Sequence, residues 1–320
     1  MRRLGGTALL VTAGCGDSEA GSGGGDTAGP SGSTSAATTT SAAQGTGSTG
    51  STSSGSGGGD DCLTPGASHT SKVAATPDYT QTDPAYGGFV DGNNFCGPTA
   101  ASNALLYLRD NGYPSLASMS GDAKQDQHDL IVEIASPTYM NTSGVFNGTP
   151  PADFLTGLAG YLSDRGVAFY SLEWQGWVPA GFTVPAEYDT GIAVPTLDAI
   201  RLGVEGSAVA WLMLGMGSTN GSTHTISSGH WVTVVGHGVD ASGPSPSSIV
   251  VHDPWTNGSP DFYTQASPLP PGQFVVDYPG FDGLTFDATG SLLLEGDWSF
   301  SSPDVYVLGL VVLRMQDDCP

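Results

Sequence analysis

Basic residues are scarce: 8 Lys plus Arg stand against 31 Asp plus Glu, a formal net charge of −23. Beyond the first few residues the cations are Lys72, Lys124, Arg109, Arg165, Arg201 and Arg314, scattered singly. No patch can neutralise consecutive phosphates, so nucleic acid is not an expected partner. Apolar runs long enough to cross a bilayer are also lacking. Val305 to Leu313 comes nearest and reads as a buried strand. Cysteine is sparse as well, with 4 in 320 residues.

The first fifth of the chain lacks the apolar residues that a core requires. Arg2 and Arg3 precede the short apolar run Leu4–Val11, and Thr12-Ala13-Gly14 leads into Cys15. That order describes an export signal. Ala13-Gly14-Cys15 resembles the lipobox of bacterial lipoproteins, which implies cleavage after residue 14 and acylation of Cys15, with Thr12 where a leucine is usual. Residues 15–61 then form a Gly/Ser/Thr-rich segment that cannot offset its own ordering entropy. A flexible tether of about 46 residues reaches roughly 35–40 Å. The resulting organisation is a signal peptide over 1–14, a lipidated tether over 15–61 and one folded domain over 62–320. The expected location is the cell envelope, with the N-terminal lipid as the membrane contact.

Cys62 and Cys319 sit at the two ends of the folded part. In an oxidising compartment a bridge between them is a reasonable expectation, two unpaired cysteines being the alternative. Closing so long a loop is worth about 5 kcal/mol in the chain-entropy treatment. With Cys15 assigned to lipid, Cys96 is the cysteine left over.

Cys96 opens Cys96-Gly97-Pro98-Thr99, ahead of a helical pattern with Ala101, Ala104, Leu105 and Leu108 forming one apolar stripe. Pro98 suits a first helical turn, and Gly112 and Pro114 end the run. A thiol at a helix N-terminus is favoured as thiolate by the dipole and the N–H groups there. Further helices are expected from near Asp122 to Ala135, after Pro150-Pro151 with Phe154, Leu155, Leu158 and Leu162 inward, and from Leu197 to Val204. Strands are expected at Ala208–Leu214, Trp231–Val235, Ser248–Val251, Phe274–Val276 and Tyr306–Leu313. Helices first and strands second give an α+β fold, the helices packed on an antiparallel sheet. His230 would start one strand and Asp253 would end the next, so that an acid adjoins an imidazole.

Cys96, His230 and Asp253 in that order supply a nucleophile, a base and an orienting carboxylate. Cys96-Gly97-Pro98-Thr99, Gly229-His230-Trp231-Val232 and His252-Asp253-Pro254-Trp255 resemble three motifs of the papain-like cysteine peptidase family 39, the bacteriocin-leader-processing group. The resemblance covers roughly residues 80–256. It implies a papain-like fold and peptide-bond hydrolysis, with Cys96 as nucleophile, His230 as general base and acid, and Asp253 orienting His230. The family's usual oxyanion glutamine, six residues before the nucleophile, is Val90 here. Asn93 or Asn94 is the candidate amide in its place, beside the Cys96 backbone N–H. A peptide or protein substrate is the implied partner, with contacts expected from Thr138–Gly148 and Trp174–Asp189.

Two other readings stay open: a binding module of the same fold without turnover, and a transglutaminase-like acyl transferase. His224, His230, His237 and His252 fall within thirty residues, but without compact zinc-type spacing, so neither a metal nor another cofactor is expected. Seven residues apart on one strand, His230 and His237 are expected on opposite faces.

Overall fold

The structure is a computed structural model that describes residues 64–81, 94–142, 148–178, 183–255, 260–277, 283–296 and 304–317. Helix α1, Cys96–Asp110, starts at Phe95 without a side-chain cap and carries Pro98 in its first turn. The single apolar stripe expected of it is not what forms. Residues Cys96 through Leu106 are all buried, including Ser102 and Asn103. Gln127 Nε2 donates to two of their oxygens, Ser102 Oγ at 2.7 Å and Asn103 Oδ1 at 2.8 Å. A helix buried on all sides needs such internal partners.

Helix α2, Ala123–Ala135, is capped by Asp122, whose carboxylate accepts from the Lys124 and Gln125 N–H groups. Helix α3, Pro151–Asp164, buries Phe154, Leu155, Leu158 and Leu162, and Gly166 follows it at φ +66°. Helix α4, Leu197–Leu202, is capped by Thr196 and is shorter than expected.

The strands are β1 (Ser171–Gly176), β2 (Ala208–Asn220), β3 (Thr223–Asp240), β4 (Gly243–His252), β5 (Asp261–Pro268), β6 (Gln273–Val276), β7 (Thr285–Asp287), β8 (Leu292–Glu295) and β9 (Asp304–Arg314). The fold is therefore α+β with a largely antiparallel sheet; β3–β6 is the one parallel pair among the described strands. The sheet closes on itself. β2 pairs with β3, β3 with β4, β4 with β5, β5 with β8, β8 with β9 and β9 with β2, every pairing antiparallel. The result is a six-stranded barrel, which removes the open edges these strands would otherwise present.

Alternation along the strands separates two cores. Leu212, Leu214, Val232, Val234, Val251 and Val312 fill one side together with Ile200 and Val204 from the α4 region. Trp211, Met213, Trp231 and Val311 face the other way and pack with α1 and α3. The helical layer is pinned by hydrogen bonds as well as by apolar contact. Ala100 O accepts from Trp211 Nε1 at 2.9 Å and from Thr233 Oγ1 at 2.7 Å. Trp231 Nε1 donates to Thr149 O at 2.9 Å, and its ring stacks on Phe154.

Candidate active site

Strand β3 is much longer than its sequence pattern predicts, so His230 lies within it rather than at its start. The extra length comes from pairing of Thr223–Thr225 with Ser218–Asn220 of β2 and of Thr223–Ile226 with β6. Asp253 is where expected, directly after the end of β4. On one side of β3, β6 pairs only as far as Ile226 and β4 only from Thr233 onward. Among the described residues no strand pairs with Ser227–Val232 on that side. His230 and Asp253 meet at this opening.

His230 Nε2 and Asp253 Oδ1 are 2.6 Å apart, with the residues 2% and 0% exposed. The Trp255 backbone N–H donates to the same Oδ1 at 2.8 Å. A carboxylate held this way assigns the proton to Nε2 when the ring is neutral, leaving Nδ1 as the basic atom. It also stabilises the imidazolium once Nδ1 has taken a second proton. The pair can therefore act as a general base and then as a general acid.

Cys96 begins α1 and is fully buried. A Cβ placed on Gly97 would stand 2.9 Å from Thr149 Cβ and 3.5 Å from Trp231 Cδ1, so the helix start abuts the chain neighbour of His230. The strand alternation puts Trp231 on the helix-facing side and groups His230 with its pair Leu214 on the inward side.

Cys96 is the sole cysteine among the described residues. Cys15, Cys62 and Cys319 lie outside the described residues, as do Asn93 and Val90. Asn94 is described and buried, in the turn that leads into α1.

The remaining histidines have separate surroundings. His224 Nδ1 is 3.0 Å from Thr219 Oγ1. His237 Nε2 is 2.7 Å from Glu205 Oε1, a pairing across 32 residues that no local pattern signals. Irregular pairing between Val234 and Gly236 interrupts the alternation, so His237 pairs with inward-facing Ile249 and does not oppose His230 as expected. Among the described residues no three potential ligands converge on one point.

Of the segments expected to contact substrate, Trp174 belongs instead to β1 and is fully buried. A cavity of about 180 Å³ lies against Trp177, Val194, Phe286, Ser291, Val307 and Leu308. Val307 pairs with Leu214, which pairs with His230, so one row of the sheet links cavity and dyad. At strand spacing the separation is about 10 Å. The volume suits a side chain rather than a drug-sized ligand. No family model matches this chain, and no curated protein matches it.

Proposed function

We propose that the chain is an exported, lipid-anchored cysteine peptidase of papain-like fold, acting through Cys96, His230 and Asp253. The observation that carries this reading is the buried 2.6 Å pair between His230 Nε2 and Asp253 Oδ1, which leaves Nδ1 as the atom for proton transfer. The position of Cys96 at the first residue of α1 supports it, and so does the packing of Gly97 beside Trp231.

In the proposed reaction the Cys96 proton passes to His230 Nδ1 and the sulfur attacks the peptide carbonyl carbon. The oxyanion is met by the Cys96 N–H and the Asn94 or Asn93 amide. The C–N bond breaks as His230 returns its proton to the amine, leaving a thioester. Water, deprotonated by His230, releases the acid and regenerates the thiol. An apolar substrate side chain fits the cavity at Trp177 and Phe286.

The test is hydrolysis of a peptide library by reduced full-length protein and by Cys96→Ala. Cleavage that vanishes in the variant supports the reading; equal rates remove the nucleophile. A second reading, a binding module without turnover, is favoured by one observation, the full burial of Cys96. It requires that the protein bind peptides and hydrolyse none.

A further inference from the structure

The segment 64–81 follows the barrel from one end to the other. Near α4 the Gly66 N–H donates to Glu205 Oε1 at 2.8 Å, and His69 and His237 exchange both backbone hydrogen bonds at 3.0 Å. The Lys72 ammonium is 3% exposed and donates to the carbonyls of Val204, Gly206 and Ala208. Three acceptors for one buried ammonium make this a fixed anchor.

At its other end the same segment grips the residues around Asp253. His252 Nδ1 lies 3.1 Å from Pro77 O, and a carbonyl can only accept, so Nδ1 carries the proton. The Gln81 N–H donates to Pro254 O at 2.8 Å. Thr80 Oγ1 stands 3.5 Å from Trp255 O. Asp253 is thus bracketed by His252 and Pro254, both bonded to one segment that is itself anchored at the α4 end. His252 is buried, and burial holds its pKa down to about 4, so at neutral pH it is a neutral donor.

We propose that residues 64–81 form a rail that sets the position of Asp253 against His230, with His252 as the positioning residue that transmits it. The inference rests on the peptidase reading for its purpose, although not for its geometry. It adds a requirement absent from the three sequence motifs: the dyad needs the segment preceding them.

The test uses full-length protein and the variants His252→Asn, His252→Phe and Gln81→Pro. Asparagine retains a donor near the Nδ1 position, phenylalanine removes it, and proline deletes the Gln81 N–H without altering His252. The first readout is the His230 Nε2–H proton resonance, which reports the bond to Asp253 whether or not Cys96 reacts. The second is the rate of Cys96 alkylation by iodoacetamide in reduced protein at pH 6.5, followed on the Cys96 peptide by mass spectrometry. In His252→Phe and Gln81→Pro the resonance should move upfield or vanish and alkylation should slow at least tenfold. His252→Asn should stay within about twofold of wild type. An unchanged resonance in folded Gln81→Pro or His252→Phe overturns the rail. A resonance that responds while wild-type Cys96 alkylates no faster than glutathione supports the rail and removes the peptidase reading.

Discussion

Asp253 Oδ1 accepts two hydrogen bonds at once, from His230 Nε2 at 2.6 Å and from the Trp255 backbone N–H at 2.8 Å. The second bond fixes the carboxylate to its own turn, and the first then fixes the ring to the carboxylate. Asp253→Asn keeps the shape but removes the charge and alters the proton assignment of the ring. Peptide hydrolysis by reduced Asp253→Asn should fall by a factor of order 10⁴ in kcat, as for the equivalent change in serine triads. Steady-state kinetics at neutral pH checks this, and a loss below threefold would deny Asp253 its orienting role.

Stability should depend on pH through the buried histidines. Burial lowers His252 from 6.5 to about 4, and burial likewise lowers His224 and His237. A histidine depressed in the folded state binds its proton first in the unfolded chain, so stability falls as pH falls below 6.5. For His252 the loss continues down to about pH 4 and amounts to about 3 kcal/mol. Urea unfolding of wild type and His252→Asn between pH 7 and 4 measures it. The variant should show a shallower decline; parallel curves would contradict the assignment.

Gly97 is held against Thr149, with only 2.9 Å available to a Cβ from Thr149 Cβ and Oγ1. Thr149 is buried, so the added methyl has to displace the start of α1. Gly97→Ala should cost about 1–3 kcal/mol of stability. Alkylation of Cys96 should change at the same time, because the helix start carries both residues. Gly112→Ala, at φ +114° with no atom near its Cβ position, is the comparison that strains the backbone without crowding the site.

The helices were legible because their ends are marked by short-range chemistry: Asp122 and Thr196 as caps, Pro98 and Pro151 in first turns. The His230–Asp253 contact was legible because strands that follow one another along the chain tend to pair. Barrel closure was not. It depends on β5 and on the four-residue β8, whose apolar pattern is too short to separate from loop. Nor was the true extent of β3, whose mostly polar Thr223–Ser228 stretch is extended by pairing with β2 and β6. The segment 64–81 left no mark because its contacts run largely through backbone carbonyls and N–H groups, which every residue possesses.

The most direct measurement of the central claim is cleavage of a defined peptide library by reduced full-length protein, beside Cys96→Ala. Hydrolysis by the wild type that falls at least a thousandfold in Cys96→Ala is the expected result. Reduced protein that binds peptides but never cuts them, or a Cys96→Ala variant that cuts as fast as wild type, would contradict it.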